Sequence, residues 1–285
     1  MRLVGLMLAR NEEWIVDFSI RAAMTWCDAV VVVDDSSTDG TPEILKNLEI
    51  TYPGRLHVHP REHGEHWEEM EARQYLLEMG REAGATHFAI VDADEALTAN
   101  VASRIREAFG GLHSADAIEV PMLAMRDLRH YQDDQTVWSR AWLTLGFMDS
   151  PNLAWRSAAD GYCHHSRSPR GILSIIRYGH DKSEGGGMHF QWCNPRRIRA
   201  KHVWYRMTEQ LRWPGRKTPR QLNEMYDEAL KFPLKVTEVR PEFYAGLIPA
   251  LIKTDGACWH ETEIHRMLIE NGPIAFKGLD LKGYA

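Results

Sequence analysis

The sequence predicts an α/β fold with a mainly parallel sheet and flanking helices, followed by a helical C-terminal extension. Three observations carry this reading: short apolar runs, helical periodicity between them, and polar motifs placed directly after the runs. Residues 2–9, 29–34, 56–59, 87–91 and 117–122 are expected to be strands. Most are apolar without alternation, as required where helices cover both sheet faces. Ile15, Phe18, Ala22 and Trp26 recur at helical spacing after the first run, and Ala72, Leu76, Met79 and Ala83 do so before the fourth. Thr41-Pro42-Glu43 predicts a helix start, with Thr41 as cap and proline at the first position. Val101, Ile105 and Ala108 predict one more short helix, ended by Gly110-Gly111. Ligands of such sheets bind beyond the carboxyl ends of the strands, where the polar motifs fall.

After Met125 the periodicity weakens, the chain becomes rich in Trp, His, Arg and Gly, and Gly185-Gly186-Gly187 marks a flexible loop. Helical patterning returns at 222–232, 241–253 and 261–270. The expected division is therefore 1–125 as the ligand-binding α/β half, 126–217 as a loop and second-substrate region of the same domain, and 218–285 as a helical segment. With 44% hydrophobic and 26% charged residues, the 285-residue chain can bury a sizeable core. Its apolar stretches are too short to cross a bilayer, and the N-terminal run reads as a strand and not as a signal peptide. Four widely spaced cysteines suit a reducing cytoplasm better than a disulfide framework. The net charge of −6 conceals a basic block: residues 166–220 hold 13 Lys or Arg against 3 Asp or Glu. Such a block suits an anionic partner, or simply a solvated helix surface.

Two acidic strand ends carry the chemistry. Val33-Asp34-Asp35-Ser36-Ser37-Thr38-Asp39-Gly40-Thr41 ends a buried strand in a polar turn, and a carboxylate at Asp34 needs a partner to offset desolvation. Val91-Asp92-Ala93-Asp94-Glu95 ends another; in an extended chain Asp92 and Asp94 project to one side and repel unless a cation lies between them. Oxygen ligands shared with substrate phosphates suit Mg²⁺ or Mn²⁺.

Taken in order, Leu6-Met7-Leu8-Ala9-Arg10-Asn11-Glu12, the Asp34 turn and the Asp92–Asp94 strand end resemble family 2 glycosyltransferases of the GT-A fold over roughly the first 100 residues. The resemblance implies nucleotide contacts at Ala9, Asn11, Glu12, Asp34, Arg73 and Asp92, although Arg73 departs from the commoner Ala-Arg-Asn spelling around this position. It also implies a metal ligand at Asp94, a further ligand at His189, and a nucleotide-diphospho-sugar donor, with UDP the commonest. A glycan or polysaccharide precursor is the expected acceptor.

The proton-abstracting carboxylate is expected among Asp149, Asp160, Asp181 and Glu184, with Asp160 preferred for its place just before His164-His165; either of these histidines is an alternative. Six Trp between residues 138 and 213, interleaved with Arg and Lys, leave nucleic acid open as an alternative acceptor. Three competing readings have sequence signals of their own. Cys163, His165, His189 and Cys193 could hold structural zinc, though no CxxC occurs. A nucleotidyltransferase would show a glycine-rich loop after the first strand, which Arg10-Asn11-Glu12-Glu13 lacks. A non-catalytic nucleotide-binding protein has no need of the paired Asp92 and Asp94.

Overall fold

The computed structural model describes residues 1–62, 69–134, 136–155, 166–231, 233, 235–256 and 258–284. The chain begins with β1 (Leu3–Ala9), α1 (Val16–Ala23), β2 (Ala29–Asp35), α2 (Thr41–Thr51), β3 (Leu56–Arg61), α3 (Glu69–Glu82) and β4 (His87–Ile90). It continues through β5 (Glu95–Leu97), α4 (Ala99–Ala102), α5 (Ile105–Gly110), β6 (Asp116–Ala124), β7 (His130–Gln132), β8 (Trp142–Met148), β9 (Ser174–Arg177) and β10 (Gly187–His189). The remainder is α6 (Pro195–Arg212), α7 (Pro219–Asp227), β11 (Val236–Glu238) and α8 (Trp259–Asn271).

The main sheet runs β3-β2-β1-β4-β8-β6-β10-β5, with β9 beside β6. Its first four strands are parallel, while β8 is antiparallel to both β4 and β6. All five expected strands are present, within a residue or two. The Trp-rich stretch, read as irregular, adds β8, β9 and β10 to the same sheet. The apolar run of β8 stands in a stretch of weak periodicity, β9 and β10 are too short to signal alone, and strand pairing with β6 decided their state.

Both faces of the sheet are covered. Val30 and Val32 pack with α1, α2 and α5, while Val31 and Val33 pack with Met70, Leu76 and Leu77 of α3. Alternate residues therefore face opposite apolar layers, which explains the continuous run of valines. The expected 101–108 helix is broken into α4 and α5. The expected 241–253 helix is instead two 3₁₀ turns, at Pro241–Tyr244 and Pro249–Leu251. Between them Gly246 has a φ of +76°, and Pro249 cannot donate to a helical ladder. Helices α6 and α8 pack together around Val203, Met207 and Ile264. No helix among the described residues is long and apolar enough to cross a membrane.

The triple glycine is an anchored segment, not a flexible loop. Gly187 opens β10 between β5 and β6. A Cβ on Gly186 would lie 2.0 Å from the Pro121 carbonyl oxygen. Gly186→Ala should therefore displace β10 and cost ~1–3 kcal/mol, read by denaturant unfolding. A midpoint equal to the parent's would show that the close approach is dispensable.

Candidate active site

The carboxyl ends of β1 and β4 and the start of α6 border a cleft of about 410 Å³. It gathers Glu12, Arg73, Asp92, Asp94 and His189 from the expected set. Ala9, Asn11 and Asp34 do not line it. The Ala9 side chain belongs to the apolar core. Asn11 stands at a φ of +55°, which asparagine tolerates. Its Oδ1 accepts the Thr38 and Asp39 N–H groups at 2.7 and 3.3 Å, and its own N–H donates to Ser37 Oγ at 2.8 Å. Asn11 thus ties the turn after β1 to the turn after β2. Thr41 starts α2, yet its hydroxyl accepts the Glu12 N–H at 2.8 Å instead of capping the helix. Asp34 is buried, accepts the Ser37 N–H at 3.2 Å, and has its carboxyl pushed upward by that burial.

Asp92 to Glu95 form a turn, closed by the Glu95 N–H donating to the Asp92 carbonyl at 3.0 Å, and both carboxylates line the cleft. The cations beside Asp92 are guanidiniums. Arg73 donates to Asp92 Oδ1 at 3.1 Å and to Glu69 at 2.8 Å. Arg167 donates to Asp92 Oδ2 at 2.6 Å, to both Glu95 oxygens at 2.8 and 2.6 Å, and to the carbonyls of Ile90 and Thr144. Asp92 is held by protein on both oxygens.

Asp94 faces His189. The two meet at 3.5 Å through His189 Nε2, because β10 lies antiparallel to β5, immediately after Asp94. Burial opposes charge on Asp94, but His189, Lys201 and Arg197 hold its carboxyl well below the ordinary range. Burial likewise opposes a charged His189, while Asp94 and Glu95 raise it. His189 Nδ1 is buried without a hydrogen-bond partner. Among the described residues no third His, Cys, Asp or Glu completes a metal cage. Two protein ligands suffice where substrate phosphates supply other oxygens, so a hard carboxylate beside an imidazole fits Mn²⁺ or Mg²⁺.

Helix α6 adds two basic residues to the cleft. Arg197 and Lys201 are one turn apart and both line the cleft. Arg197 donates to Glu12 Oε1 at 2.6 Å, and Trp14 Nε1 donates to Glu12 Oε2 at 2.6 Å. Burial still pushes the Glu12 carboxyl up to about 7, with Arg197 pulling it down and Asp94 pushing it up. From the C-terminal segment come Trp259 and His260, which border the cleft beside Trp204. The Arg197/Lys201 spacing was the available sequence signal. Arg167, Trp259 and His260 had none, being close to the other cleft residues only in space.

The raised Glu12 carboxyl has a defined consequence. A group protonated more readily when folded stabilises the fold below its unfolded value near 4.5, and that contribution is lost as pH rises through about 7. Glu12→Gln cannot titrate, so its stability relative to the parent should improve by up to ~3 kcal/mol across that window. Urea unfolding at intervals of pH would read it, and a flat difference would remove the buried-carboxyl interpretation.

Asp160, Cys163, His164 and His165 lie outside the described residues. Of the proposed zinc ligands, Cys193 Sγ lies 3.6 Å from the Met125 carbonyl and His189 faces Asp94. The aromatic side chains Trp155, Trp192 and Trp204 are buried, and Arg167, Arg197 and Arg206 are in ion pairs. Trp155 and Trp192 thus pack in the interior, while Trp204 and Arg197 reach the cleft.

Residues 7–173 match the model of Glycosyl transferase family 2, and the chain belongs to that family. Its mixed sheet with flanking helices is the GT-A arrangement. Among solved structures it is similar to S. aureus TarS 1–349, at 19% identity and a TM-score of 0.35, over 44% of this chain and 36% of that one. The same TarS segment in complex with UDP gives 18% identity and a TM-score of 0.35, with the same coverage. The similarity thus spans little more than a third of that TarS segment. A Bacillus anthracis protein assigned as a glucose-1-phosphate thymidylyltransferase, in complex with sucrose, matches at 9% identity and a TM-score of 0.40, over 66% of this chain and 89% of that one. No curated protein is similar enough to add to this.

Proposed function

We propose that the protein transfers a sugar from a UDP-linked donor to a hydroxyl of a glycan or polysaccharide precursor, with Mn²⁺ or Mg²⁺ held at Asp94 and His189. The observation that carries this reading is the meeting of those two side chains, 3.5 Å apart, in a cleft also lined by Arg197 and Lys201. A divalent ion there would supply Lewis-acid stabilisation of charge on the leaving diphosphate. Arg197 and Lys201 would add positive potential along the same path, in a partly desolvated site where it acts strongly. Trp204 and Trp259 offer aromatic surface to a sugar ring.

In the transfer step the acceptor oxygen bonds to the anomeric carbon. The bond from that carbon to the β-phosphate oxygen breaks, and its electron pair leaves with the nucleotide diphosphate. The acceptor proton passes to a carboxylate base. The cleft carboxylates Glu12, Glu69, Asp92 and Glu95 are each engaged by an arginine; Asp160 is the proposed base, with Asp149, Asp181, Glu184 and His164 or His165 as the alternatives. Residues 126–217 would then contribute the acceptor side, and the buried, unpaired Cys27, Cys193 and Cys258 suit the reducing cytoplasm.

Thermal unfolding with UDP, GDP, CDP and TDP, each with and without Mn²⁺, tests the donor site. A bound nucleotide at a hundredfold excess over its Kd should stabilise the fold by about 2.7 kcal/mol. UDP is expected to act only with metal. Silence with all four nucleotides would reject the donor site, and a preference for another base would reassign the donor.

A further inference from the structure

A second cavity, of about 450 Å³, carries a different chemical signature. Arg126, Arg199, Lys231 and Lys282 converge on it from four separate segments, and no carboxylate is among its described lining residues. Lys231 and Lys282 have carboxylate partners outside that lining: Glu228 for the first, Asp227 and Asp280 at 2.8 and 2.7 Å for the second. The two arginines are less satisfied. Arg199 is exposed and makes no ion pair among the described residues. Arg126 donates to the neutral amide of Gln132, stacks its guanidinium 5.1 Å from the Trp192 ring, and leaves a buried Nε without a hydrogen-bond partner. Two arginines lining one cavity without an ion-paired carboxylate create a potential that an anion relieves. Ile198 and Leu230 give the same cavity an apolar wall.

Its position relates it to the donor site. Trp192 lines this cavity, while its ring also lies 5.3 Å from His189 and 5.2 Å from Trp138, both in the donor cleft. Trp192, packed against His189 and Trp138, stands between the two spaces. We propose that this cavity is an acceptor subsite for an anionic glycan, holding a phosphate or carboxylate group against Arg126 and Arg199 while the neighbouring sugar reaches toward the donor cleft. The proposal rests on the transferase reading above. Convergence on one cavity favours a single anionic group, whereas a nucleic-acid backbone would be followed by charges spread along a groove.

Calorimetric titration of the full chain with maltotetraose, phosphorylated maltotetraose, a hyaluronan tetrasaccharide and a single-stranded oligodeoxynucleotide tests this. At least one charged tetrasaccharide should bind tenfold or more tighter than maltotetraose, and which one does so distinguishes phosphate from carboxylate. Arg199→Glu should weaken that binding at least tenfold, while Asp94→Ala leaves it unchanged. Metal-dependent stabilisation by nucleotide should persist in Arg199→Glu, which also shows that the variant is folded. Equal binding of charged and neutral glycans, charged-glycan binding that survives Arg199→Glu, or tight binding of the oligonucleotide alone would overturn the proposal. Failure of the donor reading would appear separately, as loss of nucleotide-dependent stabilisation in the unsubstituted protein.

Discussion

Asp94→Ala is expected to abolish the metal dependence of nucleotide binding and to lower sugar transfer by about a thousandfold, because preorganised charge at a leaving group contributes roughly 3–4 kcal/mol. The fold should survive, since Asp94 lies at the cleft and His189, left without its partner, can give up its proton and stay neutral. His189→Ala should lose less, and the double variant should lose little beyond Asp94→Ala, as for residues acting through one ion. Metal affinity should also rise with pH. Asp94 holds His189 protonated to higher pH than an ordinary histidine, and the ion must displace that proton. Turnover against Mn²⁺ concentration at several pH values reads all three effects. Full metal dependence in Asp94→Ala would place the ion elsewhere.

The largest effect on stability is expected from Arg167→Met. Arg167 bridges Asp92 and Glu95 and also caps the carbonyls of Ile90 and Thr144, joining the loop after β4 to β8. Removing it leaves Glu95 without its guanidinium and Asp92 with Arg73 alone. Loss of one partner from a buried ion pair costs about 3–5 kcal/mol, or roughly a 10 °C fall in Tm for a chain of this size. The direction with pH is fixed by linkage. The abandoned carboxyls become harder to ionise when folded, so the deficit is greatest at neutral pH and shrinks as they are protonated. Adding Glu95→Gln to Arg167→Met should restore part of the loss. A deficit under about 1 kcal/mol, or one that grows on acidification, would refute the clamp.

Much of the α/β half was legible because its signals are local. A valine run between turn residues can be buried on both faces only in a covered sheet, and Val30 to Val33 divide between the two apolar layers as that requires. Asp92 and Asp94 both line the cleft, yet their electrostatics could not be read from spacing. Asp92 is neutralised by Arg73 and by Arg167, the second some 75 residues away and without any motif of its own. The middle of the chain failed for a related reason. Strands β8 and β10 are specified by the edges of β6 that they join, not by their own periodicity.

By itself, then, the sequence determined the α/β class, the order of the first strands, the family resemblance and the acidic strand end that borders the cleft, since each depends on neighbours within a few residues. Tertiary structure decided which side chains meet. It spent Asn11 on joining two turns, closed Asp92 between two arginines, and turned Asp94 toward His189. It also brought Arg197, Lys201 and Trp259 over the cleft from segments far along the chain. Charge pairing and burial act through space, and the chain sets those distances only once it is folded.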